Sequence, residues 1–174
     1  MAGLKEIIRS IPDFPKKGIV FRDITPLLSD PRSFRESITA IVEHFRETSI
    51  DAVAGIDARG FIFGSVIAYE LGVGFVPIRK KDKLPYKTRQ ETYELEYGTD
   101  TVEVHEDAVD SGQNVLLVDD LLATGGTMAA SCRLVESLGA KVAGIAFVIE
   151  LSFLNGREKL TGYDLLSLVT YDSE

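Results

Sequence analysis

The chain has 174 residues, a length that suits one domain with a full hydrophobic core. Its hydrophobic content of 45% is that of a globular protein in water, and its net charge of −8 argues against nucleic-acid binding. The sequence has no apolar leader, no membrane-length apolar span and a single cysteine, so we expect a cytoplasmic protein without a disulfide that does not enter a membrane.

Two helices are predicted before the first buried strand. The apolar residues between Leu4 and Ile11 have the spacing of one face of a short helix, which Pro12 ends. Further on, Asp30 and Pro31 have the residue types of an N-cap and a first helical position. The apolar stripe of this longer helix consists of Phe34, Ile38, Ile41, Val42 and Phe45.

The first buried strand is predicted over residues 52–56, and it leads directly into Asp57, Ala58 and Arg59. An arginine at the carboxyl end of a strand is suited to a bidentate grip on phosphate oxygens. The alternative is a surface ion pair between Arg59 and Asp57. A mainly apolar helix, residues 61–71, is expected to follow.

A dense basic stretch follows the next predicted strand, residues 73–78. Its first members are Arg79, Lys80, Lys81 and Lys83. Basic runs are usually solvated loops, but an acidic protein that binds a polyanion must concentrate positive charge somewhere, and this stretch does so. Residues 92–97 and 101–105 then alternate like the strands of a hairpin.

The most informative segment is residues 115–127, with the sequence Val-Leu-Leu-Val-Asp-Asp-Leu-Leu-Ala-Thr-Gly-Gly-Thr. Its aliphatic run predicts a strand buried on both faces, and Asp119 and Asp120 follow where that strand would leave the sheet. The small turn after them leads into a helix over residues 128–138, and such a turn favours a phosphate.

Two carboxylates beside a phosphate-binding turn would repel phosphate alone. A ribose 5-phosphate supplies hydroxyl groups for the acids and a phosphate for the turn, so this pattern favours a phosphorylated ribose ligand. The alternative is that both acids are solvated and that the glycines only turn the chain. The segment lacks the lysine of a Walker loop and does not contain Gly-x-Gly-x-x-Gly.

Strands over residues 141–151 and 165–169 complete an alternation of strands and helices. This order predicts an α/β fold with an open, mostly parallel twisted sheet and helices on both faces, in one domain over residues 1–174. We expect Cys132 to be a small buried hydrophobe, and we assign no metal or catalytic role to His44 or His105, which lack ligand spacing.

Several of these motifs resemble those of the type I phosphoribosyltransferases, in the family's order, from Phe14 to Leu168. Residues 115–127 resemble the family's phosphoribosyl pyrophosphate motif, and residues 57–60 resemble its pyrophosphate loop. The runs Leu-Glu-Tyr-Gly and Gly-Arg-Glu-Lys-Leu are also similar to family sequences. The resemblance implies the family fold, with an N-terminal hood at about residues 12–28, a mobile flap hairpin at about residues 80–105, and a homodimer.

The run Val-Phe-Arg-Asp-Ile-Thr-Pro, residues 20–26, resembles the hood of family members that act on adenine. This resemblance implies a purine salvage reaction in which adenine N9 takes the 5-phosphoribosyl group of phosphoribosyl pyrophosphate, giving AMP and pyrophosphate. It also implies Mg²⁺, held mainly by substrate and water rather than directly by the protein. A cis peptide between Asp57 and Ala58 is implied as well.

The resemblance implies a role for each residue of the motifs. The implied 5-phosphate site consists of Ala123, Thr124, Gly125, Gly126 and Thr127. The implied catalytic residues are Asp119, Asp120, Arg59 and Glu96, of which Glu96 is a candidate for handling a proton of the base. The implied pyrophosphate site consists of Asp57, Ala58, Arg59, Arg79, Lys80, Lys81 and Lys83. The implied base site consists of Val20, Phe21, Arg22 and Leu121, and Tyr97 belongs to the flap.

Three other interpretations remain. A phosphoribosyltransferase for a 6-oxopurine would share the phosphate turn but should lack the hood sequence from Val20 to Asp23. A regulator that uses the fold as a ligand sensor should carry a basic DNA-binding module or lack Arg59 and the basic stretch. A nucleotide-binding enzyme of another doubly wound type should carry one of the two absent glycine fingerprints.

Overall fold

The computed structural model describes residues 2–94 and 98–174. Its helices are α1 (Ala2–Ile7), α2 (Thr25–Ser29), α3 (Pro31–His44), α4 (Gly60–Leu71) and α5 (Gly126–Ser137). Its strands are β1 (Arg9–Ile11), β2 (Phe21–Asp23), β3 (Ala52–Ile56), β4 (Gly74–Lys80), β5 (Thr88–Glu94), β6 (Thr99–His105), β7 (Asn114–Leu122), β8 (Lys141–Leu151) and β9 (Leu165–Tyr171). Two short 3-10 helices span Ser152–Leu154 and Gly156–Leu160.

Seven strands form the central sheet in the order β5-β6-β4-β3-β7-β8-β9. The five strands from β4 to β9 in this order run parallel, and the β5–β6 hairpin joins the β4 edge antiparallel. Gly55 pairs with Val118, and Ile56 pairs with Ile78, so the carboxyl ends of β3, β4 and β7 meet at one edge. The predicted open, mostly parallel sheet is confirmed.

Alternating residues of the strands bury the two faces of the sheet against different helices. Leu117 belongs to the apolar cluster that includes Met128 and Leu134 of α5. Its neighbour Leu116 belongs to the opposite cluster, which includes residues of α1, α3 and α4. Helices on both faces are therefore confirmed, and none of the helices within residues 2–94 and 98–174 has the length and apolar composition to cross a membrane.

The predicted N-cap of α3 is confirmed, because the Asp30 carboxylate accepts a hydrogen bond of 2.7 Å from the Ser33 N–H. The predicted helix at the N-terminus is too long. It ends at Ile7, and Ile11 instead pairs with Phe21 in a two-stranded antiparallel sheet. The pairing partner lies ten residues further along the chain, so the local spacing of apolar residues did not indicate it.

Strand ends near the ligand edge also differ from the prediction. Strand β7 continues to Leu122, because Asp119 pairs with Phe147 and Leu122 pairs with Glu150 of β8. The two acids therefore lie inside a strand rather than after it. Helix α5 begins at Gly126, earlier than predicted.

The predicted hairpin is formed by β5 and β6, whose seven residue pairs run from Thr88 with His105 to Glu94 with Thr99. Both strands begin earlier in the sequence than the alternation indicated. Glu96 and Tyr97, to which the resemblance gives functional roles, lie outside the described residues.

Candidate active site

The loop after β3 packs directly on the acid pair of β7. A Cβ atom on Gly60 would lie 2.8 Å from the Val118 carbonyl oxygen and 2.9 Å from Asp119 Oδ1. Only glycine allows this approach, and it brings the neighbouring Arg59 to the acids. The Asp57–Ala58 peptide at the start of the same loop is cis, which confirms the expectation from the family resemblance.

Arg59 connects the acid pair with the N-terminal segment. Its Nε lies 3.0 Å from Asp120 Oδ2, and its guanidinium carbon lies 5.5 Å from the centre of the Phe21 ring. The surface ion pair between Arg59 and Asp57, considered as an alternative, does not form, since Asp57 instead accepts a hydrogen bond of 3.1 Å from Arg79 Nε. Residues from β2, β7 and the loop after β3 thus converge at one edge of the sheet.

Both carboxylates of the acid pair are held in unfavourable surroundings for a negative charge. Burial, together with the charge of Asp120, raises the pKa of Asp119 well above its ordinary value. Burial also raises the pKa of Asp120, against the opposing effect of Arg59. Asp119 Oδ1 accepts a 2.8 Å hydrogen bond from the Asp120 N–H.

One oxygen of the pair lacks a hydrogen bond. Asp120 Oδ2 is buried and lies at ion-pair distance from Arg59, but the N–H of Arg59 is not aligned with it, and no other described residue donates to it. A buried carboxylate oxygen without a donor is costly unless a ligand completes its surroundings. The edge of the sheet therefore has the character of a binding site.

This arrangement predicts a gain in stability for Asp119→Asn in the ligand-free protein. An acid whose pKa is raised by folding destabilises the fold once pH rises above the unfolded value of about 3.9, and the penalty becomes complete above the folded pKa. The asparagine oxygen can still accept from the Asp120 N–H. Thermal unfolding at pH 8 should therefore show a higher Tm, each kcal/mol giving roughly 2–4 °C in a chain of this length. The gain should shrink toward pH 4, and an equal gain at both pH values would contradict the explanation.

The turn after β7 encloses a cavity of about 80 Å³. It is lined by Asp119, Leu121, Leu122, Ala123, Thr124, Gly125, Gly126, Thr127, Met128 and Phe147. All five residues expected to bind a 5-phosphate are in this lining, together with one acid and the expected base contact Leu121. Gly125 has a φ of +76°, a conformation that glycine adopts easily, and it precedes the N-terminus of α5.

A support beneath this turn was not identified from the sequence. A Cβ on Gly125 would overlap the Gly156 carbonyl oxygen, and a Cβ on Gly156 would overlap the Ala123 carbonyl oxygen. Beside Gly156, Arg157 donates two hydrogen bonds of 2.9 and 2.6 Å to the buried carboxylate of Glu150. The Arg157 hydrogen bond lowers the pKa of Glu150, so the pair is ionic. In the sequence, the only indication of this support is Glu150, a charged residue inside the otherwise apolar run of β8.

The basic residues divide into paired and unpaired groups. Besides its bond to Asp57, Arg79 donates to the Lys83 carbonyl oxygen at 3.2 Å. Lys80 hydrogen-bonds with Asp100 and, at 2.9 Å, with the Tyr93 hydroxyl. Within the described part of the chain, the exposed ammonium groups of Lys81 and Lys83 have no ion-pair or hydrogen-bond partner.

The Tyr93 hydroxyl joins the hairpin to the phosphate turn. It accepts a hydrogen bond of 3.0 Å from Thr127 Oγ1 and donates one of 3.1 Å to Asp100. Tyr93 also packs on the turn, since a Cβ on Gly126 would lie 3.2 Å from its ring. Sequence spacing gave no indication of this contact, because Tyr93 and Thr127 are far apart along the chain.

The expected base-reading segment is held by residues from the C-terminus. The Val20 N–H donates to the Glu174 side chain at 2.8 Å. The Arg22 guanidinium lies 3.9 Å from the centre of the Tyr171 ring and donates to the Ser173 carbonyl oxygen. The side chain of Arg22 is thereby engaged, which is compatible with a role for its backbone alone.

The remaining sequence expectations concern single side chains. Cys132 is buried, as predicted, and burial raises its pKa to about 12. His44 Nε2 lies 3.2 Å from Asp164 Oδ1, and both residues are distant in sequence from Asp119 and Asp120. Within residues 2–94 and 98–174, no group of three or more His, Cys, Asp or Glu side chains forms an arrangement that could hold a metal ion.

The chain matches known proteins over nearly its whole length. The family model described as the phosphoribosyl transferase domain matches residues 23–164. An adenine phosphoribosyltransferase of Nitrosococcus oceani is 60% identical over 171 residues, covering 98% of this chain and all of the relative. The crystal structure of adenine phosphoribosyltransferase from Thermoanaerobacter pseudethanolicus is 56% identical and superposes with a TM-score of 0.95, covering 98% of this chain and 99% of that one.

A more distant match is the adenine phosphoribosyltransferase of Trypanosoma brucei, solved in complex with AMP, pyrophosphate and ribose-5-phosphate. It is 27% identical with a TM-score of 0.89, over 97% of this chain and 78% of that one. The likeness in fold therefore persists at an identity much lower than that of the two bacterial proteins.

Proposed function

Since the chain belongs to the phosphoribosyltransferase family, we propose that it transfers the 5-phosphoribosyl group of phosphoribosyl pyrophosphate to N9 of adenine, releasing AMP and pyrophosphate. The observation that carries this proposal is the meeting of an acid pair, a glycine turn and an arginine at one sheet edge. The high identity to adenine phosphoribosyltransferases over full length supports adenine as the base.

The 5-phosphate is the anchor of the substrate, because it does not react. The N–H groups from Ala123 to Thr127 and the dipole of α5 bind it, and its binding energy orients the sugar. Asp119 and Asp120 contact the ribose hydroxyls beside this turn. Their charge stabilises the positive charge that develops on the anomeric carbon as the bond to pyrophosphate breaks. The positive charge that develops in the transition state opposes the high pKa values of the ligand-free acids, whereas the phosphate alone would raise these values further.

The departing pyrophosphate is held by the loop after β3 and by the basic stretch. Arg59 and the exposed ammonium groups of Lys81 and Lys83 supply positive charge. The ion pair between Asp57 and Arg79 joins the loop after β3 to the basic stretch, and Lys80 joins this stretch to Tyr93 of the hairpin. Mg²⁺ prefers oxygen ligands, which the substrate phosphates and water would supply beside the two acids. Held mainly by substrate oxygens and water, Mg²⁺ would supply positive charge that neutralises the leaving group.

Adenine lies between the hood, residues 12–28, and the end of β7. Phe21 and Leu121 pack on the ring faces, the Val20 carbonyl oxygen accepts from the 6-amino group, and the Arg22 backbone N–H donates to N1. The contact of Phe21 with Arg59 supports this arrangement, because it brings the hood to the acid pair. The flap, at about residues 80–105, closes over the site; Tyr97 belongs to it, and Glu96 is the candidate for handling a base proton.

The same proposal includes a cytoplasmic homodimer. Two large apolar side chains on one face of α4 support an interface between two copies, since Tyr69 is 82% exposed and Ile62 is 39% exposed. Light scattering of the parent protein and of Tyr69→Asp would test it, and a monomeric parent protein would contradict it. The buried, reduced Cys132 is compatible with a cytoplasmic setting.

The reaction is tested by incubating the protein with phosphoribosyl pyrophosphate, Mg²⁺ and one base at a time. The panel consists of adenine, hypoxanthine, guanine, xanthine and uracil, and pyrophosphate release is measured. Of the five bases, only adenine should give rapid release of pyrophosphate, with one AMP formed for each pyrophosphate. Release with hypoxanthine or guanine but not adenine would favour a 6-oxopurine enzyme, and no release with any base would favour a ligand sensor.

The basic stretch predicts a selective loss of affinity for one substrate. Lys81→Ala with Lys83→Ala removes two cations that have no partner among residues 2–94 and 98–174, and of the two substrates only phosphoribosyl pyrophosphate carries charge that they could bind. A charge-assisted hydrogen bond contributes about 1.5–3 kcal/mol where water does not screen it, but both ammonium groups are exposed. The two contacts together should therefore contribute about 1.4–2.7 kcal/mol, and the KM for phosphoribosyl pyrophosphate should rise roughly 10- to 100-fold. The KM for adenine should change less than about twofold, because the base carries no charge that the lysines could attract. Steady-state kinetics with each substrate varied in turn measures both values.

Lys141→Ala is the matched control, because it removes an exposed cation at the amino end of β8, the opposite edge of the sheet. It should leave both KM values unchanged. Lys80 is omitted because its loss would also disturb Tyr93 and Asp100. Equal losses for both substrates in the double variant would show that the stretch is structural.

A further inference from the structure

A buried carboxylate lies beneath the basic stretch. Glu103 of β6 is 2% exposed, although it neighbours the stretch proposed to bind pyrophosphate. An anion at such a place would weaken the binding of a polyanion if its charge were not compensated. The role of Glu103 therefore depends on the groups that compensate its charge.

Glu103 accepts hydrogen bonds from two backbone groups of the loop between β4 and β5 and from two side chains of β5. Its Oε1 accepts from the backbone N–H groups of Lys83 and Leu84, each at 2.9 Å. Its Oε2 accepts from Gln90 Nε2 at 3.1 Å and from Thr88 Oγ1 at 3.4 Å. Burial opposes its ionisation, but the backbone hydrogen bonds outweigh this and lower the pKa of Glu103, so it is a carboxylate at neutral pH.

The loop that Glu103 holds has few other constraints. Residues 81–83 and 85–87 are exposed, and Asp82 has a positive φ of 63°. Lys83 is held on both sides of its backbone, by Glu103 at the N–H and by Arg79 at the carbonyl oxygen. Since Arg79 also bonds Asp57, a chain of contacts joins Glu103 to the loop after β3.

We propose that Glu103 is a positioning residue for pyrophosphate binding. It fixes the backbone at Lys83 and Leu84 so that the ammonium groups of Lys81 and Lys83 point at the pyrophosphate of the substrate, while its own charge is compensated by four donors. This inference rests on the proposed function, since it assumes that the lysines contact pyrophosphate. It assigns Glu103 no contact with any substrate.

The first test is Glu103→Gln, which preserves size but places an amide NH₂ against groups that donate. The KM for phosphoribosyl pyrophosphate should rise about tenfold, with kcat and the KM for adenine changed less than about twofold, a tenfold change being about 1.4 kcal/mol. Titration calorimetry with pyrophosphate and Mg²⁺, in which no turnover occurs, should show a Kd for pyrophosphate that is higher by the same factor. Glu106→Gln is the matched control, because Glu106 is a largely exposed carboxylate just after the same strand. It should change neither value.

A double-mutant cycle separates positioning from a general structural role. If Glu103 acts through the lysines, then Glu103→Gln should add less than about twofold to KM in the Lys81→Ala, Lys83→Ala background. A full tenfold further loss there, or equal losses for adenine, would overturn the proposal. Should Glu103→Gln fail to fold, Gln90→Ala, which removes one donor to Oε2, takes its place with the same criteria. Failure of the proposed function would be distinguishable, since the parent protein would then release no pyrophosphate with adenine.

Discussion

Hypoxanthine is expected to react with a kcat/KM roughly 10⁴-fold below that of adenine, the discrimination that hydrogen-bonding sites reach. Adenine offers a donor at its 6-amino group and an acceptor at N1, which match the Val20 carbonyl oxygen and the Arg22 N–H. Hypoxanthine reverses both, and each mispaired buried group costs about 1–3 kcal/mol, to which direct repulsion adds. Initial rates of pyrophosphate release with each base varied measure the ratio. Comparable kcat/KM values would refute adenine as the preferred base.

The control for base choice is Val20→Ala. Because backbone atoms read the base, this variant should keep the preference for adenine and raise its KM only modestly through lost packing. A loss of the preference in Val20→Ala would mean that the side chain, rather than the backbone, selects the base. The Val20 N–H donates to Glu174 and the Arg22 guanidinium donates to Ser173, and these bonds fit a backbone role because they hold the segment in place.

Asp119→Asn with Asp120→Asn is expected to lower kcat/KM by about 10³-fold or more. Removal of one preorganised electrostatic partner of a transition state costs about 10²–10³-fold, and this variant removes both negative charges beside the anomeric carbon. Steady-state kinetics with adenine measures the loss. The fold should persist, because burial raises the pKa of both acids, so that neither negative charge stabilises the ligand-free fold at neutral pH.

Asp107→Asn with Asp110→Asn provides the matched control for charge. Both residues are exposed and lie beyond the end of β6, so the variant has the same net charge as the acid-pair variant without touching the ligand edge. Its kcat/KM should equal that of the parent protein. If the acid-pair variant also matched the parent, the two acids would have no part in the reaction.

Much of the fold follows from local pattern, because buried parallel strands are short aliphatic runs and helices carry spaced apolar stripes. This local pattern was sufficient to predict the bounds of β8 and the N-cap of α3. The end of β7 could not be found in this way, since pairing with β8, rather than local residue types, extends the strand through Asp119 and Asp120. Ile11 was assigned to a helix for the same reason.

The ligand edge was predictable where its residues are consecutive, as from Ala123 to Thr127. Its supports were not, because they are contacts between distant residues. Glu103, Tyr93 and the Glu150–Arg157 pair each hold a loop through hydrogen bonds that no spacing encodes. A charged residue inside a wholly apolar strand, such as Glu150, is the sign that a sequence can give of such a support, whereas the alternation around Glu103 predicts a solvent-facing side chain.

The Tyr93 hydroxyl has a consequence for communication between the two sides of the site. It has one proton, which goes to Asp100, and it accepts from Lys80 and from Thr127. A ligand oxygen that draws the Thr127 hydroxyl to itself leaves this centre with one donor fewer. The hydrogen bonds that hold the hairpin against the turn then weaken, although the sheet does not move. By thermodynamic reciprocity, whatever secures the hairpin must alter the affinity of the turn by the same factor.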